Sequence, residues 1–232
     1  MSTVLTYITP PSQCPYLPDQ ISQLRYARFE DLSPPTYMHL MAHGWRRFAS
    51  DVFRPECPFC SRCLSLRVPV NDFRPSESQR RAWRRNRDEL EIRIGTPSDA
   101  PEVVALFDRF HRYKQESLEW PERGADDLEH MVQNPFPTEA WSYYRGDRLV
   151  AVGYVDALAG GLSAIYFFYD PDERQRSLGT FNVLSIIEAA RQRGLPHAYL
   201  GYYVEGCRSL EYKARFRPNE VLRRGGWEPF VR

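Results

Sequence analysis

An α+β fold built around a late strand–loop–helix unit is predicted by three features of the sequence. The first is the stretch Ala164–Gly194, AIYFFYDPDERQRSLGTFNVLSIIEAARQRG. Ala164–Tyr169 is short and aromatic, as strands are, and Asp170-Pro171-Asp172 stops it. Ser177 is placed to cap a helix in which Phe181, Leu184, Ile187 and Ala190 recur at helical spacing, and Gly194 takes the C′ position. The second feature is AWSYYRGDRLVAVGYVDAL, two β-favouring runs around the hairpin turn Gly146-Asp147. The third is composition. With 232 residues, 42% hydrophobic, 26% charged and net charge +1, the chain suits one large core or two small domains, and any nucleic-acid contact must come from local patches.

The remaining elements follow in order. The first 30 residues are Pro-rich and weakly periodic, with CPYLP (Cys14–Pro18) as a fixed loop. Ser33 caps a short helix over Pro34–Ala42, which leads into the aromatic and basic HGWRRF (His43–Phe48). CPFCSRC (Cys57–Cys63) precedes a β-like LSLRVPV, and the turn Asp72–Ser78 opens a basic helix over Gln79–Asp88. From Leu90 the texture changes, so a boundary near residue 88 divides an N-terminal, cysteine-bearing region (1–88) from a second region (89–232). There ELEIRIG reads as a strand. A helix runs from Ser98 or Asp99 to about Ser117, with Val103, Leu106, Phe107 and Phe110 on one face, and another lies near Asp126–Gln133. After the hairpin come the strand GLSAIYFFYD, the central helix, the strand HAYLGYYV, a short helix Ser209–Phe216 and a closing strand GGWEPFVR. The order β-α-α-β-β-β-α-β-α-β is that of the GNAT acyltransferase fold, an analogy that names no substrate. Leu149–Tyr169 imitates a membrane span, but Asp156 and Gly160-Gly161 divide it into two strands. MSTVLTYITPPS lacks a basic start and an apolar core, so a cytoplasmic protein without a membrane partner is expected.

Four constellations can carry chemistry. Cys57-x-x-Cys60-x-x-Cys63 spaces thiolates for one zinc ion or iron–sulfur cluster, with Cys14 as the available fourth ligand; the alternative is buried or merely reduced thiols. The five cysteines, an odd number without an export signal, argue against a disulfide framework, and Cys207 reads as a small core residue. Arg80, Arg81, Arg84, Arg85 and Arg87 cover one helical face roughly 160° wide. With Trp83 for stacking, that face suits nucleic-acid phosphates, against the alternative of a solvated face neutralised by Asp88, Glu89 and Glu91. RQRSLGTF (Arg174–Phe181) follows the R/Q-x-x-G-x-G/A pattern of acyl-CoA enzymes except at its end. Phe181 there makes close approach of a pyrophosphate doubtful, although a helix start above a strand suits an acyl or phosphate group. LGYYVEGCRSLEYKARFRP (Leu200–Pro218) sets Tyr202, Tyr203, Tyr212, Lys213 and Arg215 at a strand end, where the cations can take a carboxylate.

HGWRRF, FRPECPFCSRC, RVPVNDFRPSESQRRAWRRN, YFFYDPD, SLGTFNVL, YLGYYVEGCRSLEYKARFRPNEVL and GGW together resemble the aminoacyl-tRNA–protein transferase family, from Cys14 to Trp227. The resemblance implies transfer of leucine from leucyl-tRNA, as in the bacterial branch, or of arginine, as in the eukaryotic one. The acceptor is the N-terminal amine of proteins beginning with Asp or Glu, whose products pass to an N-degron adaptor and protease. It implies no cofactor for the chemistry, and a structural zinc or cluster on the cysteines, with Leu17 standing where the eukaryotic pattern has a second N-terminal cysteine. It implies tRNA on Arg80, Arg81, Arg84 and Arg85. Asp170 is expected as base or amine-orienting acceptor and Tyr212 as proton shuttle. Lys213 and Arg215 are the expected receptors of the acceptor's carboxylate, with Arg46 and Arg47 as the alternative pair. A CoA-dependent N-acetyltransferase is the second reading, and a non-catalytic RNA- or zinc-binding module the third.

Overall fold

The computed structural model describes residues 4–118 and 123–231. The chain forms β1 (Val4–Ile8), β2 (Ser12–Gln13), β3 (Ile21–Ser22), β4 (Leu24–Phe29), α1 (Pro34–Ala42), β5 (Arg46–Phe48), β6 (Asp51–Pro55), β7 (Cys63–Pro69) and α2 (Glu77–Asn86). It continues with β8 (Glu91–Gly95), α3 (Pro101–Leu118), α4 (Ala125–Val132), β9 (Thr138–Arg145), β10 (Arg148–Leu158), β11 (Gly161–Tyr169), α5 (Leu178–Gln192), β12 (His197–Val204), α6 (Arg208–Glu211), β13 (Glu220–Arg223) and β14 (Gly226–Pro229). One sheet has the order β14-β13-β7-β12-β11-β10-β9-β8, a second the order β1-β4-β6-β5, and β2 pairs with β3.

The GNAT-like order expected from the second half is present, with α3 and α4 ahead of the meander β9–β10–β11 and α5 between the parallel strands β11 and β12. β7 sits between β13 and β12, so a cut at residue 88 would remove a strand from the middle of the large sheet. β10 explains the membrane-like run. Val152 and Tyr154 serve the core shared with Val103, Phe107 and Phe110 of α3, while Ala151 and Val155 serve the core shared with Val183, Ile186 and Ile187 of α5. A strand covered on both faces is apolar throughout. Among the described residues no helix is long and apolar enough to cross a membrane.

Local chemistry sets the helix ends. Ser33 accepts from the Thr36 N–H (3.4 Å) at the start of α1, as expected. α2 begins two residues early because Ser76 closes a capping box: Gln79 N–H donates to Ser76 Oγ (3.4 Å) and Ser76 N–H donates to Gln79 Oε1 (2.8 Å). Ser177 does not cap α5 with its side chain. It adopts the left-handed conformation (φ 58°), because a 3-10 turn over Pro171–Arg176, capped by Asp170, runs directly into the helix. Gly194 follows the last turn with φ 68°. The expected helix Ser209–Phe216 is divided into α6 and a 3-10 turn over Tyr212–Arg215. The weakly periodic N-terminus hides a sheet whose exposed edge strand carries Leu5, Tyr7 and Ile8.

One buried constellation locks that small sheet to the large one. Arg47 of β5 donates from Nε to Asp156 Oδ2 (2.7 Å) and from Nη2 to Asp156 Oδ1 (2.5 Å). Tyr37 of α1 donates to Oδ2 (2.8 Å) and Thr138 of β9 to Oδ1 (2.8 Å). The side chains of Arg47 and Asp156 are 1% and 0% exposed. Asp156→Ala, which strands a buried guanidinium, is expected to cost about 3–5 kcal/mol in urea denaturation, and adding Arg47→Met should recover a large part of that loss.

Candidate functional site

The site begins where the large sheet comes apart. β11 and β12 pair at Leu162–Ala198 and Ser163–Tyr199, and past these residues the pairing ends. Gly161 makes the junction possible, since a Cβ there would stand 2.2 Å from the His197 carbonyl oxygen. Along its other edge β12 stays paired with β7 to Val204, with a shift of register between Tyr199 and Gly201. A parallel pair opening in this way exposes backbone N–H groups, the donors an acyl oxyanion needs.

Two cations meet on the opened stretch of β12. Alternation along β5 sends its adjacent arginines to opposite sides. Arg47 goes to Asp156, and its guanidinium is fully occupied. Arg46 goes to Tyr202, with its Cζ 5.6 Å from the ring centroid. Its Nη1 donates to the carbonyls of Met41 (3.0 Å) and Trp45 (2.6 Å). Arg46 is 6% exposed, yet its Nε and Nη2 have no hydrogen-bond partner. Lys213 donates from Nζ to the Tyr202 carbonyl (3.0 Å). Burial, reinforced by Arg46, brings the Lys213 amine down to about 7. Desolvation lowers Arg46 as well. The unpaired guanidinium of Arg46 keeps donors of the kind a carboxylate satisfies.

The other expected site residues divide. Arg215 is exposed, and its backbone carbonyl accepts from Gln79 Nε2 (3.1 Å). It lines a cleft of about 550 Å³ with Tyr212, Ser177, Thr180 and Ser76, at the start of α5. Burial raises the Tyr212 hydroxyl to about 12, so at neutral pH it is a hydroxyl and not a phenolate. Asp170 is 2% exposed and engaged on both oxygens, accepting from the Asp172 N–H (3.0 Å), Arg109 Nη1 (3.1 Å) and Arg148 Nη1 (3.2 Å). Like Arg46 and Lys213 it lines neither cleft, and its contacts are those of a cap and an anchor for the turn into α5.

On α2, Arg80, Arg81 and Arg84 are more than half exposed and share the single carboxylate of Glu77, at 2.9, 3.7 and 3.3 Å, which leaves the face basic. Arg85 donates instead to the Gln175 carbonyl and ties α2 to the turn before α5. Trp83 is not a free stacking surface, because its ring packs against Phe181 (5.4 Å). It lines a second cleft of about 480 Å³ with Phe73, Leu184, Ile187, Arg80 and Arg84. Phe181 itself is buried, and Arg176 is paired with Glu89 (2.6 Å) and Glu173 (2.7 Å). The two residues a CoA pyrophosphate would need are therefore a core aromatic and a neutralised arginine.

The cysteines are neighbours. Burial raises the Cys63 thiol to about 12, with Cys57, Cys14, Cys60 and Cys207 adding to the rise. All five are free thiols, and Cys57 Sγ donates to the Gln23 carbonyl (3.6 Å). Cys207 packs with Leu17, Tyr202 and Val204 as a core residue, so Leu17 fills an apolar contact. Among the described residues, no three His, Cys, Asp or Glu side chains are arranged to hold a metal ion. No step of the chemistry below runs through these thiols.

Arg46 predicts its own test. Arg46→Met removes two unpartnered buried nitrogens, Nε and Nη2, along with two hydrogen bonds to carbonyls. Unfolding in urea should show stability unchanged or raised by up to about 2 kcal/mol. A loss of more than that would mean the guanidinium serves the fold and not a ligand.

Two family descriptions match the chain: "Arginine-tRNA-protein transferase, N terminus" over residues 12–81 and "Arginine-tRNA-protein transferase, C terminus" over residues 102–223. Proteins named aspartate/glutamate leucyltransferase are similar over nearly the whole length. That of Campylobacter jejuni (strain 81-176) is 37% identical over 221 residues, 94% of this chain and 92% of its own. That of Methylobacterium sp. (strain 4-46) is 39% identical over 241 residues, 95% and 94% of the two chains. In fold, the chain is similar to FemX (TM-score 0.55, 7% identity, 95% of this chain and 86% of that one). It is also similar to the C-terminal domain of a lysylphosphatidylglycerol synthetase of Agrobacterium fabrum (TM-score 0.50, 17% identity, 85% and 64%). The chain belongs to the aminoacyl-tRNA–protein transferase family and is a transferase with a GNAT-like fold.

Proposed function

We propose that this chain moves leucine from leucyl-tRNA to the α-amine of proteins that begin with Asp or Glu, making a product for an N-degron adaptor and protease. The observation that carries the reading is the near full-length similarity to relatives named aspartate/glutamate leucyltransferase. The unpaired guanidinium of Arg46 supports its acidic half.

The chemistry is aminolysis of an ester that is already activated. The protein must hold the ester carbonyl, bring an amine to it and accept a proton. An N-terminal amine titrates near 7.7–8.0, so a neutral fraction exists at pH 7. Arg80, Arg81 and Arg84 offer a basic face for the tRNA backbone, with Arg85 fixing the helix beneath it. The clefts on either side of α2 suit the acceptor end. An Asp side chain differs from Asn by a charge at nearly constant shape, so packing does not separate them, whereas a bidentate guanidinium does. Cys14, Cys57, Cys60 and Cys63 have the soft donors zinc or an iron–sulfur cluster would take, but among the described residues no three of them are arranged to hold an ion, and no step is routed through them.

Labelled leucyl-tRNA, arginyl-tRNA and acetyl-CoA, each offered with a peptide beginning with Asp, test the reading directly. Leucine is expected on the peptide; acetylation would favour the CoA enzyme and arginine the other branch. The Arg80, Arg81, Arg84 and Arg85 quadruple alanine variant should bind charged and uncharged tRNA more weakly, with a shallower salt slope. Arg46→Met should lose about 1.5–3 kcal/mol of discrimination between Asp and Asn peptides. Elemental analysis of protein purified without oxygen decides the cysteines, and less than about a tenth of an equivalent of zinc or iron removes them as ligands.

A further inference from the structure

We propose that Lys213 is the base that takes the proton from the acceptor's α-ammonium, while Arg46 beside it holds the acceptor's acidic side chain. This rests on the function proposed above and adds a catalytic residue to it.

The geometry is that of an amine kept from being an ammonium. Lys213 stands one residue past Tyr212, which lines the larger cleft, and turns back onto β12, where Nζ donates to the Tyr202 carbonyl (3.0 Å). An ammonium has three N–H groups to satisfy and a neutral amine has two, with a lone pair left over. Gly201, at φ 79°, lies against this amine: a Cβ there would stand 3.4 Å from Nζ. The charged and titratable groups around it are Arg46 from β5 and Cys207 ahead of α6, with Tyr202 on β12. Glu211 of α6 accepts from the Gly206 N–H (3.0 Å). Arg46 is the near cation and disfavours a second one. The two other expected proton carriers lack the required character: Asp170 is held by two arginines, and Tyr212 is a weak acid with a hydroxyl proton to keep.

The step balances without a further reactant. The α-ammonium gives a proton to neutral Lys213, and its freed lone pair attacks the ester carbonyl carbon. The new C–N bond forms as the C–O bond to the tRNA ribose breaks. A proton from the nitrogen ends on the leaving ribose oxygen, and Lys213 returns its proton to water. A lysine near 7 facing an ammonium near 8 is well matched for this transfer. The acceptor's carboxylate couples recognition to chemistry. Burial is the main cause of the depression at Lys213 and Arg46 the second, so a carboxylate seated on Arg46 removes the second and makes the base stronger when an acidic acceptor is bound.

The experiment is the pH dependence of kcat, from pH 5.5 to 9, with leucyl-tRNA and an Asp-initiated peptide. In the wild type kcat should rise and level off at or just above pH 7. Lys213→Arg keeps a cation but removes the base. Its kcat at pH 7 should fall by about 10²-fold, with the remaining rate still climbing through pH 8 and both KM values within threefold of the wild type. Lys213→Met is the second variant. The folded state holds Lys213 near 7 against 10.5 for an ordinary lysine, so it binds fewer protons than the unfolded state between those values. The burial penalty is therefore largest below pH 7, and Lys213→Met should melt above the wild type at pH 7, with the gap closing toward pH 10. A kcat for Lys213→Arg within threefold of the wild type, or an unchanged pH midpoint, would overturn the assignment. So would a lower melting temperature for Lys213→Met at pH 7, which marks a structural lysine. Failure of the wild type to transfer leucine to any peptide would be seen before any variant is made and would remove the proposed function as well.

Discussion

The pair Arg47–Asp156 is the constraint on which the site depends. Buried ion pairs of this kind contribute little net stability, but breaking one is expensive, so they specify which surfaces meet. Here the carboxylate lies near the end of β10 and its four donors come from α1, β5 and β9. The small sheet is thereby set against the large one in a single register. Because β5 alternates, the same contact that draws Arg47 toward Asp156 turns Arg46 the other way, onto Tyr202. One residue makes the interface, and its neighbour is delivered, with two nitrogens unpartnered, to the opened stretch of β12.

The two arginines illustrate opposite uses of a buried charge. Arg47 has every donor answered, by a carboxylate, a hydroxyl and the Ala49 carbonyl (2.9 Å). Arg46 has two nitrogens unanswered, at a cost the fold must offset elsewhere. A destabilised group that persists at the opening of a sheet is what a binding site for the missing partner looks like. Its field also reaches Lys213, so the unpaired charge adds to the effect of burial on that amine.

Legibility in the sequence followed how local each signal was. The hairpin about Gly146-Asp147, the strand His197–Val204, the cap at Ser33 and Gly194 after α5 all rest on near neighbours, and all are where the sequence puts them. β1, β4, β6 and β13 were not legible, because short strands with one exposed face make no strong pattern until their partners are known. Among the site residues, Arg46 and Lys213 come together, whereas Arg215 faces outward and Arg47 is occupied. Asp156 was visible only as an interruption of an apolar run. A lone carboxylate there was itself the signal that a buried cation must come from elsewhere, but which of the arginines answers it is a tertiary fact.

The start of α5 shows how a fold used for one donor can be fitted to another. In a CoA enzyme this end must admit a pyrophosphate between backbone amides. Here α2 lies across it: Arg85 holds the Gln175 carbonyl, Asn86 Nδ2 holds the Arg176 carbonyl (2.9 Å), and Trp83 packs on Phe181. These contacts put a helix where a phosphate pocket would lie and fix the arginines of that helix to the turn before α5. A charged face can steer a large polyanion wherever it lies, but it aligns an ester with an amine only if helix and site move together. The aromatic at 181, which looks like damage to the CoA loop, is the residue on which Trp83 packs, and it anchors the basic helix α2 to α5 and the large sheet.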